Sequence, residues 1–254
     1  MKKRLSLLLA LVMLLQLAPT RSVVAWAEDS GTPGSAQNES GSEAEALILP
    51  AGEIPDKREA NIKHFRMTDG SNMAVVYPAA VHFEENGDWA EIDNQLELRD
   101  DAEGGQVYVN RRNSFGVSLP AALDKESWFG VSTGGHSLFF RLLGVQESKA
   151  AVAEEPKPSE DPLERAVSVH YDSAVLYTDA LPGSELRYDL GGQSLKETIC
   201  FSALEFVPEE LSYEIRAEGL QAEWGKDGEI LFLAEDASYT TGQVLSCDGG
   251  FFIG

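Results

Sequence analysis

The chain has 254 residues, 43% of them hydrophobic, with 11 Phe, 7 Tyr and 4 Trp. That is enough apolar surface for one large or two small cores, and it excludes a chain that is disordered throughout. Asp and Glu number 42 against 20 Lys and Arg, for a formal charge of −22; this field repels nucleic acids and anionic lipid surfaces, and beyond the first four residues no local basic patch interrupts it.

The N-terminus reads as a secretory signal. Lys2, Lys3 and Arg4 form a basic start, an apolar run follows from Leu5 to Leu17, and Ala25-Trp26-Ala27 supplies the small residues needed at a cleavage site. The run is short for a bilayer span and lacks the polar face that a buried core helix would carry. Residues 1–27 are therefore expected to leave by a cut after Ala27, with Ala25 and Ala27 as the cleavage signal. Lys2, Lys3, Arg4 and Arg21 leave with it and no acid does, so the remainder is more acidic still. No cysteine lies near the cut to carry a lipid anchor. The product is expected to be secreted, with no membrane contact after cleavage.

Residues 28–58 are expected to be a disordered leader, because EDSGTPGSAQNESGSEAE at its start is nearly free of large apolar side chains and cannot offset the entropy of ordering. Residues 59–146 read as a β-rich domain or half-sandwich. Met73 to Tyr77 is a β-branched and aromatic run closed by Pro78, and Asn86-Gly87 between two extended segments predicts a type I′ hairpin. Its register sets Glu84 opposite Trp89, Phe83 opposite Ala90 and Val81 opposite Ile92. His82, Glu84, Trp89 and Glu91 then share the mostly wet face. Phe115–Leu119 and Ser137–Val145 add strands.

The proline- and acid-rich stretch 147–164 reads as a linker between two folded halves, or as a long surface insertion within one. Residues 165–236 are again β-rich. Ala166–Tyr171 alternates, Ala174–Tyr177 is a short run, and Glu185–Leu190 leads through Gly191-Gly192 into Ser194–Phe201 as a second hairpin. Leu211–Arg216, Leu220–Trp224 and Glu229–Leu233 follow. Residues 237–254 form an atypical tail. Turn signals every 8–12 residues or so, with no long helical period outside the leader, predict an all-β, antiparallel, β-sandwich-like fold, either as one large or two small domains.

Chemical motifs are few. Gly130-Val131-Ser132-Thr133-Gly134 has the G-x-S-x-G spacing of a hydrolase elbow, but Gly135, His136 and a β-like run follow where that chemistry needs a helix, so a hairpin loop is expected. His64, His82, His136 and His170 stand alone, without metal-ligand spacing. Glu84-Glu85, Asp100-Asp101 and Glu209-Glu210 are acid pairs of the kind expected by chance among 42 acids. The loop Glu84–Asp88 lacks the ladder of a calcium site. Two cysteines, Cys200 and Cys247, are too few for a disulfide scaffold, and Cys200 sits in a run where a buried thiol is as natural as a bond. No catalytic residue, metal or cofactor is expected. Trp89 and Trp128 are the residues that could stack on a sugar.

Two stretches resemble a known family. Asn61-Ile62-Lys63-His64-Phe65, Asp69-Gly70, Val76-Tyr77-Pro78, Val81-His82-Phe83 and Glu85 through Asn94 are similar to the N-terminal region of large secreted Gram-positive proteins with DNRLRE domains and RHS (YD) repeats. Leu176-Tyr177, Leu181-Pro182-Gly183-Ser184-Glu185-Leu186-Arg187-Tyr188 and Leu195-Lys196-Glu197-Thr198-Ile199 resemble a second element of the same proteins. The resemblance implies an extracellular, non-enzymatic β-rich module preceding repeats that present a C-terminal effector. Repeats, effector and wall-sorting signal are missing from this chain, and the run after Asp236 departs from the pattern, which predicts a truncated or frame-shifted product. The expected function is a structural or interaction module of a wall-associated or surface protein, its partner a cell-wall glycan or another surface protein. The alternative is a secreted carbohydrate-binding module or weak glycoside hydrolase.

Overall fold

The computed structural model describes residues 23–25, 47–102, 104–153, 159–170, 172–224, 230–234 and 251–253. Strands Val23–Ala25 (β1), Pro50–Glu53 (β2), Ile62–Met67 (β3) and Asn72–Val76 (β4) make an antiparallel sheet in the order β1-β4-β3-β2. A hairpin of His82–Glu85 (β5) and Asp88–Glu91 (β6) follows. Asn86 and Gly87 have φ of 56° and 89°, the left-handed pair that a type I′ turn requires, and Glu84 faces Trp89 and Phe83 faces Ala90. Ile92 donates its N–H to the Val81 carbonyl at 2.9 Å, continuing the register as read from the sequence.

The rest forms two facing sheets. Asp93–Asp100 (β7), Gln106–Arg112 (β8), Gly116–Pro120 (β9), Phe129–Thr133 (β11) and His136–Leu142 (β12) join Tyr213–Glu218 (β17) in the order β17-β12-β11-β9-β8-β7. Ala122–Leu123 (β10), Ser148–Val152 (β13), Ser173–Thr178 (β14), Ser184–Leu190 (β15), Leu195–Phe201 (β16) and Phe251–Ile253 (β20) form the second sheet, in the order β10-β13-β14-β15-β16-β20. Leu220–Trp224 (β18) and Ile230–Ala234 (β19) form a separate hairpin. The fold is all-β and mostly antiparallel, with a single short α-helix, Pro162–Ala166 (α1), and the 3-10 turns Pro55–Lys57 and Leu204–Phe206 among the described residues.

One core joins the sheets. Val117, Leu119, Phe129 and Val131 of one meet Val175, Tyr177, Leu186 and Tyr188 of the other, all nearly excluded from solvent. Phe129 sits at the centre, its ring 4.3 Å from that of Tyr188 and edge-on to Tyr177 at 5.6 Å, a geometry favoured by the ring quadrupoles. The buried Tyr177 hydroxyl donates to the Pro120 carbonyl at 2.7 Å, so the hydroxyl does not lose its hydrogen bond on burial. The small N-terminal sheet has its own core of Phe65, Met67, Met73, Val75, Tyr77 and Val81, closed by Val167 from beyond α1.

The stretch 147–164 is not wholly a linker: Ser148–Val152 is a sheet strand paired with β14, and Asp161 caps α1 by accepting from the Leu163 N–H at 2.7 Å. That cap, with Pro162 in the first turn, starts a helix just before the expected strand Ala166–Tyr171. Val167 is buried against the N-terminal sheet instead of joining a ladder. The expected leader is also ordered in part, since Pro50–Glu53 pairs with β3, while residues 26–46 lie outside the described residues.

Asn94 ties these units together. It is fully buried; its N–H donates to His170 O at 2.8 Å, its Nδ2 to Gly191 O at 2.9 Å, and its Oδ1 accepts from Asn110 at 3.2 Å and Asn113 at 3.1 Å. Its own carbonyl accepts from Ser173 Oγ at 2.7 Å. β7 and β8 are thereby fixed to the start of β14 and to the β15–β16 turn.

Candidate functional site

Three constellations bring chemistry-bearing side chains together, and the first lies between the N-terminal sheet and the β5–β6 hairpin. Strand alternation sends Lys63 inward beside Phe65 and Met67, where it is 4% exposed and forms an ion pair with Glu91 of β6. Glu53 on β2 receives a two-point grip from Arg58, at 2.7 Å from Nε and 2.8 Å from Nη2. This hydrogen bonding, aided by Lys63 and set against partial burial, holds the Glu53 carboxyl below the usual carboxylate range. His82, on the face read as mostly wet, is 1% exposed because its ring lies against Glu53 of β2 and the Glu59 carbonyl, whereas Glu84 and Trp89 of the same face are open to solvent. Its Nδ1 lies 2.7 Å from the Glu59 carbonyl, which can only accept, so Nδ1 carries the proton. Nε2 then points at Glu53 Oε1, 3.4 Å away. A carboxylate held ionised by arginine is a weak base, and no hydroxyl or thiol nucleophile is among these partners; chemically the cluster is a clasp across four strands.

The second constellation is Glu197. In LKETICF it shares the inward parity of Leu195, Ile199 and Phe201, and it sits directly opposite Tyr188. The Tyr188 hydroxyl donates to Oε2 at 2.5 Å, and the Tyr213 hydroxyl, from the opposing sheet, donates to Oε1. Burial raises the Glu197 carboxyl above its ordinary value against the opposing pull of both hydroxyls, and it pushes Tyr188 well up too. The carboxyl bridges the two sheets where β17 meets β16.

The third is the outer face of the first large sheet. A shallow groove of about 320 Å3 crosses it, with Gly116, Ser118, Gly130, Ser132 and Ser137 as floor and Arg99 and Phe139 as walls. Beside it, the guanidinium of Arg141 lies 4.7 Å and that of Arg216 5.3 Å from the centre of the Trp128 ring, and Arg216 also covers Phe139 at 4.5 Å. Arg141 in turn bonds Glu214 at 2.7 Å.

The residues singled out from sequence are scattered. Trp128 belongs to this arginine ladder, and a sugar stacking there would compete with guanidinium groups for its face. Trp89 is on β6, far along the chain from the groove floor, 39% exposed, with its carbonyl accepting from Arg58. Ser132 lies within β11; Gly134 and Gly135, both at positive φ, form a two-residue turn that closes on the pair Thr133 and His136, so the G-x-S-x-G run is a hairpin and not an elbow before a helix. Glu85 pairs with Arg112 at 2.7 Å. Cys200 is free and exposed on β16, while Cys247 and Ala27 lie outside the described residues. Ala25 ends β1, opposite Ala74. Among the described residues no three His, Cys, Asp or Glu gather as a metal site, and no helix is long and apolar enough to cross a membrane. The groups missed from sequence, Lys63 and Glu197, had a readable signal: each is a charge at an inward-facing position of an alternating strand.

No family model, curated protein or solved structure matches the chain.

Proposed function

We propose that this chain is an exported, non-enzymatic structural and interaction module, the N-terminal part of a wall-associated or surface protein of the DNRLRE/RHS type. The observation that supports it most is how the ionisable groups are used. Glu53 with Arg58, Lys63 with Glu91, and Glu197 between two tyrosines each join one strand or loop to another, so the polar chemistry of the fold goes into holding sheets together. A cut after Ala27 would remove β1 and make β4 the edge of the N-terminal sheet.

The test is an assay of the purified chain against wall glycans, esters and peptides. No turnover is expected; hydrolysis abolished by one point substitution would overturn the reading. The exposed ring of Trp89, 39% open to solvent, favours carbohydrate binding as a second reading. A saturable change in tryptophan fluorescence with wall glycans, lost in Trp89→Ala, would establish it.

A further inference from the structure

We infer that two copies of this chain pair through the outer edge of β17, joining their sheets into one continuous antiparallel sheet. This goes beyond the module reading and does not depend on export. β17 ends its sheet, and no described strand lies beyond it. Leu143 N–H donates to the Ser212 carbonyl at 2.8 Å, so residues 212, 214, 216 and 218 face β12 and the backbone groups of Ile215 and Ala217 point outward. Apolar side chains along this edge remain open to solvent, with Tyr213 38% and Ile215 43% exposed. An edge that combines outward hydrogen-bonding groups with exposed apolar side chains is a template for another strand.

The sequence of the edge selects a second copy as that strand. With Ile215 opposite Ile215 of the second copy, the outward-pointing backbone groups meet as hydrogen-bonded pairs. Tyr213 then faces Ala217, bulky against small, and Glu214 faces Arg216 of the second copy, twice by symmetry. Moving the centre by one residue either way sets Glu214 or Arg216 against its own copy. The self-complementary register is therefore also the one that pairs opposite charges. The net charge of −22 opposes association at low ionic strength, so the edge works at salt near 0.15 M, where the screening length is about 8 Å.

Sedimentation equilibrium of the full chain at that salt tests this, alongside Ile215→Pro and Arg216→Glu. A concentration-dependent dimer is expected. Ile215→Pro removes an outward N–H and no bond to β12, so it should yield a monomer with an unchanged far-ultraviolet spectrum. Arg216→Glu, which sets like charges opposite Glu214 of the second copy, should weaken the dimer by about tenfold. Amide exchange at 215 and 217 should slow as concentration rises. Every variant keeps residues 1–27, so association through the apolar leader would survive Ile215→Pro. Such survival, or a wild-type chain that stays monomeric into the high micromolar range, would overturn the inference.

Discussion

Asn94 shows how one side chain can hold several units in place. Its amide and backbone, themselves buried, reach partners on β8, β14, the loop after α1 and the β15–β16 turn. Truncation removes the side-chain bonds to Gly191 O, Asn110 and Asn113 while leaving the backbone bonds in place, and Asn94→Ala is expected to cost about 2 kcal/mol in urea unfolding; a change within a few tenths of that of a surface substitution would show the hub to be incidental. Glu197 makes a different residue-level prediction. Its folded-state pKa is raised by burial, so the stability linked to it is fully present below the ordinary glutamate range and is lost as pH rises through the raised value. Glu197→Gln should flatten that decline in a series of thermal midpoints from acid to neutral pH, and an unchanged slope would place its origin elsewhere. Glu53 has the opposite sign: its pKa is lowered, so its contribution holds above the ordinary range and disappears as pH falls through the lowered value, and Glu53→Gln should remove that part of the acid limb.

At the scale of elements, hairpins were the legible part. Asn86-Gly87 and Gly191-Gly192 announce their turns through backbone conformations or close approaches that favour these residue types. A β-carbon at Gly192 would overlap the Ala80 carbonyl oxygen, whereas one at Gly191 comes no nearer than 3.3 Å to Ser194 Oγ. Gly192→Ala is expected to destabilise by about 2 kcal/mol or more and Gly191→Ala by clearly less; equal losses in chemical unfolding would contradict the close seating of this turn on the loop between β4 and β5. β7 and β8 were harder to read. DNQLELRD and QVYVNRR place Glu97 and Arg111 on one face, where they pair across strands at 2.7 Å, and that cross-strand compensation cannot be read within either segment alone. The expected strand 166–171 failed for a related reason, because the capped turn at Asp161 outweighed the local alternation.

Across the whole molecule, the proline- and acid-rich stretch suggested two halves, yet the partner of β12 lies in β17, some 70 residues later. Composition reports where a chain is polar; it does not report which edges pair across the polar stretch. Because Phe129 from the first half packs on Tyr177 and Tyr188 from the second, Phe129→Ala should cost about 3–5 kcal/mol and shift the unfolding of both halves together. Separate transitions followed by amide exchange in β9 and β15 would mean two independent units. The candidate site was less legible than the fold, since Trp128 is distinguished only by the arginines that the topology brings over it from β12 and β17.

The central claim is an exported module built for structure and contact, and the intact mass of the chain after expression in a secreting Gram-positive host tests it most directly. The expected result is a product in the medium or wall fraction that has lost residues 1–27 and begins at Glu28. Recovery of the uncut 27.6 kDa chain from inside the cell would contradict it.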